Sequence, residues 1–284
     1  MANRSRDGRS DHTARTLSTL VRATDIVELL VQTDGATARD IADRLAMSQS
    51  SVYNYLSTMV DDGWLVKEGP EYHLSLKFFQ IGAFVRTTSP LFETARQGLD
   101  DLADATGETT HLSTEEHNHQ IHLYKANGEK AVGNEYHRSK LHTSSHLHDT
   151  ATGKAILSAL PRHRVEEILE EHGLPRTTEN TITDRTSLFE ELEETQERGY
   201  SVNDEEEILG LRAVGAPILN RDGEVLGSIS LSGPTSRLRG DRFREEVPNL
   251  IEQAANVIEL DLNMETRLAS GDHDIGPEGA DERF

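Results

Sequence analysis

The sequence predicts an α+β protein with two domains: three helices and a β-hairpin come first, and a larger domain of antiparallel strands with flanking helices follows. In the first domain, apolar residues recur at helical spacing, and two short alternating segments close it at residues 64–75. Beyond residue 90, strand-like and helix-like segments alternate around a strong turn signal at residues 220–223. The length of 284 residues suffices for both domains.

The composition is that of a strongly acidic chain without cysteine. It has 29 basic and 50 acidic residues, a net charge of −21, and only six of the basic residues are lysines. Such acidic, lysine-poor chains resemble proteins of halophiles that accumulate salt, with an ordinary acidic bacterial protein as the alternative. The absence of cysteine excludes disulfides, thiolate metal sites and a cysteine nucleophile.

The sequence indicates neither a membrane span nor a leader. No apolar run approaches the roughly 20 residues of a membrane helix, and residues 1–12 lack the apolar centre of a signal peptide. We therefore expect a cytoplasmic protein. Both ends of the chain are predicted to be disordered. Residues 1–15 form a basic arm, which either follows the DNA or is simply solvated. Residues 268–284 form an acidic tail.

The first three helices have clear boundaries in the sequence. The first should run from about Thr16 to Thr33, where Asp34-Gly35 ends it. Thr37 is the next N-cap, with Asp40 three residues later in a capping-box pattern. The turn Ala46-Met47-Ser48 then leads into the third helix, which Ser48 caps.

The third helix has one apolar and one polar face. The apolar side chains follow i, i+3, i+4 spacing, and they are Val52, Tyr55, Leu56, Met59 and Val60. The opposite face carries Ser50, Ser51, Tyr53, Asn54 and Ser57. Two short helices with a tight turn and a polar outer face are what recognition of a DNA major groove requires. A helical hairpin within another fold is the alternative.

The two alternating segments after the third helix predict a β-hairpin. Residues 64–67 and 72–75 are joined by Glu68-Gly69-Pro70-Glu71. A hairpin at this place is the wing of a winged helix, which argues against the alternative fold. The predicted DNA-binding domain spans residues 16–77, and we expect Arg22 and Lys67 to contact the DNA backbone.

A strongly apolar run, residues 78–84, follows the wing. We predict a linker over residues 78–90, and its apolar side chains must be covered. Packing within the chain is one possibility, but a second subunit is favoured because a winged helix usually needs two half-sites. We expect a homodimer or a tetramer.

The second domain is predicted over residues 91–267. Helices are expected at 91–107, 150–160, from Pro161 onward, 187–198 and 243–267. Strands are expected at 109–114, 120–125, 213–219 and 224–232. The last two strands form a hairpin, so the sheet is antiparallel.

Three segments of this domain suit a polar ligand. The predicted helix N-terminus at residues 150–153 offers backbone N–H groups to an anion. Ser228, Ser230 and Ser232 point to one face of a strand, which suits either a polar ligand or solvent. Residues 203–207 supply further polar groups ahead of the strand at residue 213.

Three stretches of the chain, residues 37–63, 147–157 and 227–237, together resemble the IclR family of transcriptional regulators. The second stretch contains His-Asp-Thr-Ala-Thr-Gly-Lys-Ala-Ile, and the third reads Gly-Ser-Ile-Ser-Leu-Ser-Gly-Pro-Thr-Ser-Arg. The resemblance implies a winged helix-turn-helix that binds a double-stranded DNA operator. It also implies that the linker over residues 78–90 is a helix, and that a larger domain, similar to GAF and PAS sensors, binds a small-molecule effector.

The resemblance also implies which residues line the effector pocket. Together with the neighbouring Asp204, they are Thr150, Ala151, Thr152, Gly153, Asn203, Ala213, Ser230 and Ser232. The family often has Asp in place of Asn203 and Cys in place of Ala213, so the identity of the effector does not transfer. The helix N-terminus favours a carboxylate metabolite as effector. We expect the regulator to control a catabolic operon, and we expect it to need no cofactor.

The recognition helix departs from the family at one position. Where the family usually has Arg, this chain has Asn54. Asn can recognise adenine through two hydrogen bonds, so specificity can persist while affinity for phosphate falls.

A metal-responsive regulator is the main alternative function. Eight histidines lie between residues 111 and 148, namely His111, His117, His119, His122, His137, His142, His146 and His148. Imidazole is a good zinc ligand, but no spacing here matches a zinc motif. An enzyme is not expected, because the nucleophile-elbow, P-loop and Rossmann patterns do not occur in the sequence. A winged-helix protein that acts only through partners is a third possibility.

Overall fold

The computed structural model describes residues 16–132 and 146–270, with side chains up to residue 264. The chain divides into two compact units, Met1–Val85 and Arg86–Phe284, each described here by itself. The predicted basic arm, residues 271–284 of the predicted acidic tail, His137 and His142 all lie outside the described residues.

The first unit contains three helices and a three-stranded antiparallel sheet. Its helices are α1 (Ser18–Thr33), α2 (Ala38–Arg44) and α3 (Gln49–Asp61). Its strands are β1 (Ala36–Thr37), β2 (Leu65–Glu68) and β3 (Glu71–Leu74), in the order β1-β3-β2. The hairpin of β2 and β3 is the predicted wing, and α4 (Lys77–Thr87) follows it.

The predicted caps set the helix boundaries. Thr37 Oγ1 accepts the backbone N–H of Asp40, and the Asp40 carboxylate accepts the backbone N–H and the hydroxyl of Thr37. Those two bonds from Thr37 lower the pKa of Asp40. Ser48 Oγ accepts the N–H of Ser51 at the start of α3. Val52 and Leu56 are fully buried, so the apolar face of α3 points into the core as predicted.

The second unit is a five-stranded antiparallel sheet with helices on both faces. Its strands are β4 (Thr109–Glu116), β5 (His119–Asn127), β6 (Ser201–Asp204), β7 (Leu211–Leu219) and β8 (Val225–Pro234), in the order β5-β4-β8-β7-β6. Its helices are α5 (Pro90–Thr106), α6 (Ala151–Ala159), α7 (Arg162–His172), α8 (Arg185–Arg198) and α9 (Val247–Ser270).

Two apolar cores cover the two faces of this sheet. Helices α5 and α9 pack on one face against inward side chains that include Val214, Ile229 and Leu231. Helices α6, α7 and α8 form the second core, around Ile156 and Leu157. Ser228, Ser230 and Ser232 alternate with Ile229 and Leu231 along β8, so they face α6. The fold class predicted from the sequence is confirmed.

The linker helix and the last helix end at other residues than the sequence predicted. The linker helix was predicted over 78–90, but α4 ends at Thr87 and a new helix starts at Pro90. Ser89 is extended (φ −81°, ψ 116°) because the residue before proline is disfavoured in helical conformation. At the far end α9 continues to Ser270, three residues into the segment predicted as tail.

Two short strands were not predicted. Strand β1 has two residues, too few to show alternation, and pairs with Tyr72 and Glu71 of the wing. Strand β6 pairs with β7 at the edge of the large sheet. In the described part of the chain, no helix is both long and apolar enough to cross a membrane.

Candidate functional site

The polar face of α3 is accessible in the first unit. Ser50, Tyr53, Asn54 and Ser57 are exposed, while Ser51 is partly covered. The Ser48 hydroxyl lies 2.8 Å from Ser51 Oγ and 3.1 Å from Ser50 Oγ. A cluster of hydroxyls therefore surrounds the N-terminus of α3, and Asn54 lies on the same outer face.

Arg22 and Lys67 differ in their surroundings. Arg22 donates to the Leu45 carbonyl at 3.4 Å and lies 3.8 Å from Asp25, so it also braces the end of α2. Lys67 is exposed on the wing, with its Nζ 5.3 Å from the centre of the Tyr72 ring. Lys77, at the start of α4, has its Nζ 4.1 Å from the Trp64 ring centre and donates to the Asp62 carbonyl, so it joins α4 to the end of α3.

In the second unit, the first turn of α6 and strands β4, β7 and β8 enclose a cavity. The empty space there is about 440 Å³, a volume that includes solvent at the open mouth. Seven of the predicted effector residues line it: Thr150, Ala151, Thr152, Asn203, Ala213, Ser230 and Ser232. Its other lining residues are His111, His122, Glu207, Ile208, Leu211 and Arg212.

The other two predicted residues, Gly153 and Asp204, are not among the lining residues. A side chain at Gly153 would collide with the backbone of Leu147, so this glycine permits close packing. The carboxylate of Asp204 accepts from Arg212 Nε at 2.6 Å and Nη2 at 3.2 Å. Asp204 therefore holds Arg212, which lines the cavity and was not among the predicted site residues.

Gln120 was not among the predicted site residues, but its side chain binds two threonines that line the cavity. It is 1% exposed, and its Nε2 donates to Thr152 Oγ1 at 2.5 Å and Ser113 Oγ at 3.2 Å. Its Oε1 accepts the Thr150 hydroxyl at 2.9 Å. One buried amide thus fixes both threonine side chains at the start of α6. Its only sequence signal was a polar residue on a predicted strand.

Asn203 is held by backbone groups. Its Nδ2 donates to the Asp149 carbonyl at 2.5 Å, and its Oδ1 accepts the N–H of Glu206 at 3.1 Å. Asn203 therefore ties the start of α6 to the loop after β6, and that loop supplies Glu207 and Ile208 to the cavity.

The serine row on β8 faces α6. Ser228 is fully buried and donates to the Thr152 carbonyl at 2.9 Å. Ser230 is 4% exposed and lines the cavity with Ser232, whose Oγ lies 3.3 Å from His111 Nε2. The alternative interpretation, a strand with its serines facing bulk solvent, is therefore wrong.

A buried ion pair lies one helical turn beyond the cavity. Lys154 is 1% exposed, and its Nζ lies 2.6 Å from Glu206 and 3.5 Å from Glu191. Burial raises the pKa of Glu206, while the nearby Lys154 ammonium opposes that rise. Lys154 lies in the 147–157 stretch that carries the family resemblance, but no role was predicted for it from the sequence.

Two family models match the chain. The IclR helix-turn-helix domain matches residues 19–69, and the C-terminal domain of the bacterial transcriptional regulator IclR matches residues 84–260. The chain belongs to the IclR family. This IclR-family protein is a transcriptional regulator, and the family resemblance stated from the sequence is confirmed.

Similar proteins of this family are regulators rather than enzymes, as expected. The probable HTH-type transcriptional regulator ArcR of Halobacterium salinarum is 34% identical over 249 residues, 87% of this chain and 95% of that protein. The regulator KdgR of Escherichia coli is 30% identical over 259 residues, 90% of this chain and 96% of that protein.

Two solved structures have the same fold as this IclR-family chain. Thermotoga maritima IclR is 29% identical, with a TM-score of 0.68 over 87% of this chain and 100% of that one. An IclR homologue from Microbacterium hydrocarbonoxydans, crystallised with 4-hydroxybenzoate, has a TM-score of 0.73 at 23% identity, over 87% of this chain and 99% of that one.

Proposed function

We propose that this regulator recognises a double-stranded operator through the polar face of α3 and responds to a small carboxylate bound in the cavity of the second unit. The observation that carries the proposal is the convergence of seven residues, chosen from the sequence, on one cavity at the N-terminus of α6. A protein that binds chromosomal DNA acts in the cytoplasm. The relative named acetate operon repressor, from Salmonella typhimurium, supports a catabolic target operon.

The donors around the cavity support a carboxylate. The Gly153 N–H is satisfied by Thr150 Oγ1, and the Lys154 N–H by the Thr150 carbonyl. The preceding N–H groups, those of Ala151 and Thr152, have no acceptor within the helix. They lie at the positive end of the helix dipole. The lining residues Ser230 and Ser232 add hydroxyl donors, and a homologue of this fold binds 4-hydroxybenzoate, an aromatic carboxylate.

Ser230→Ala is expected to weaken carboxylate binding about tenfold, because one hydrogen bond to a charged group is lost. Calorimetry of the full-length protein in molar KCl, with 4-hydroxybenzoate as probe, measures this. Ser236→Ala, an exposed serine just beyond the same strand, is the matched control and should bind normally. If 4-hydroxybenzamide binds as tightly as the acid, the anion argument fails.

Asn54→Ala is expected to reduce discrimination between operator and random DNA by about 5- to 150-fold, because a bidentate contact to adenine contributes about 1–3 kcal/mol. Fluorescence anisotropy at fixed salt, with operator and scrambled duplexes, measures the ratio of the two affinities. The operator sequence comes from genome-wide occupancy of the tagged protein in its host. Thr24→Ala, exposed on α1, is the control. An unchanged ratio would mean that Asn54 is not on the recognition surface.

Helix α4 supports a homodimer. None of its residues is buried, and Phe79 and Phe84 are 71% and 68% exposed. Phe79→Asp is expected to convert the dimer to monomer, because a charge would enter an apolar interface. Light scattering after gel filtration gives the mass. Gln80→Asp introduces the same charge one residue later and should leave the dimer intact. A Phe79→Asp protein that stays dimeric would place the interface elsewhere.

A further inference from the structure

The turn between β4 and β5 meets the C-terminal end of α7 away from the effector cavity. There His119, Glu171 and His172 each offer one ligand atom, and these atoms all lie within 4.8 Å of one another. The rings of His119 and His172 are 4.6 Å apart, centre to centre. Within the described residues this is the group of histidine and carboxylate side chains best placed to share one ion.

His172 has an unsatisfied nitrogen. Its Nε2 is buried and has no hydrogen-bond partner. A buried ring nitrogen without a hydrogen-bond partner is a position at which an imidazole can bind a metal ion.

Glu171 and the β4–β5 turn are held in place before any ion binds. Glu171 Oε2 accepts from Asn118 Nδ2 at 2.8 Å. Asn118 in turn accepts from Arg164 of α7 at 3.0 Å, and its N–H donates to Glu115 at 2.6 Å. The tight turn, in which His117 and Asn118 have φ of 51° and 66°, is thus tied to α7 next to the three ligand residues.

We propose that His119, Glu171 and His172 bind one divalent transition-metal ion of the zinc type. Two imidazoles and a carboxylate form a donor set that suits zinc, whereas Mg²⁺ and Ca²⁺ prefer oxygen ligands alone. Zinc–nitrogen bonds of about 2.0–2.1 Å need ligand atoms about 3.4 Å apart in a tetrahedral site. The His119 side chain is partly exposed, so it can rotate and bring its ring nitrogen to this distance from the other two ligand atoms. The ion would join the β4–β5 turn to α7.

The test is zinc titration of the tag-free full-length protein in molar KCl, after treatment with EDTA and dialysis. We expect one Zn²⁺ per chain by calorimetry, and a rise in Tm because the ion binds the native state alone. An excess of Mg²⁺ should neither displace the zinc nor raise Tm. X-ray absorption should report nitrogen ligands at the zinc.

Matched variants separate this cluster from scattered surface binding. His119→Ala and His172→Gln are each expected to weaken zinc binding at least tenfold. His163→Ala removes an exposed histidine at the start of the same helix and should bind as the wild type does. His119 lies at a surface turn, so its variant keeps the test open if His172→Gln fails to fold. Uptake well below one ion per chain, an equal loss in His163→Ala, or displacement by Mg²⁺ would overturn the proposal.

Discussion

Lys154→Met is expected to lower the free energy of unfolding by about 3–5 kcal/mol, the loss typical when one partner of a buried ion pair is removed. The Lys154 ammonium, 1% exposed, is bonded to Glu206 at 2.6 Å. The Glu206 side chain is 9% exposed, and its Oε2 is buried without a hydrogen-bond partner. Without the lysine, that carboxylate would stay buried with no cation. Denaturant unfolding in molar KCl measures the change.

A second substitution tests the cause. In Lys154→Met/Glu206→Gln the buried pair is replaced by neutral groups, so part of the lost stability should return. Lys130→Met removes an exposed lysine of the same unit and should change stability little. A double variant no more stable than Lys154→Met would show that lost packing, rather than the unpaired charge, dominates.

The loss caused by Lys154→Met should also depend on pH. Burial raises the pKa of Glu206, so folding favours its protonated form. Its contribution to stability is therefore present at low pH and is lost as the pH rises through the folded-state pKa. Without Lys154, which opposes this rise, the pKa rises further. The deficit relative to wild type should thus shrink as the pH is lowered from neutral toward the ordinary pKa of a glutamate. A deficit that stays constant over this interval would contradict the charge argument.

Much of the first unit could be predicted because its signals are local. The capping box of Thr37 and Asp40, the cap at Ser48 and the spacing on α3 depend on residues three or four positions apart. Strand β6 was missed for the opposite reason. Its buried residues are polar, Ser201 at 0% and Asn203 at 4% exposed, and their partners are carbonyls about 50 residues away along the chain. A polar residue buried by distant contacts carries no hydrophobic pattern.

The candidate site shows the same division. A serine row and a helix N-terminus could be recognised in the sequence, because each is a local pattern. Gln120 could not, since it matters only when β5 lies against the threonines of α6. Nor could Lys154, because its partners Glu191 and Glu206 lie 37 and 52 residues away. Tertiary contacts decide which polar residues in a conspicuous stretch face the cavity and which hold the fold together.

Arg237→Met is the second substitution with a large expected effect, a loss of about 3 kcal/mol. Glu108 is 1% exposed, and its two oxygens accept from Arg237 Nε at 2.7 Å and Nη2 at 2.6 Å. A bidentate guanidinium pair of this kind is strong and specific in geometry. Arg242, 3.6 Å from Glu108, would remain as a partial partner, so the loss falls at the lower end of the range for buried pairs.

The position of Arg237 makes this variant informative about the whole 227–237 stretch. Arg237 lies just beyond β8 and Glu108 just before β4, so the ion pair joins the ends of two neighbouring strands. The same two strands carry Ser232 and His111 of the cavity. Arg239→Met, two residues later and exposed, should change stability by less than about 0.5 kcal/mol. Thermal and denaturant unfolding compare the two variants. Equal free energies of unfolding for the two variants would mean that Glu108 finds another partner. The pair of Arg237 and Glu108 would then not be what stabilises this stretch.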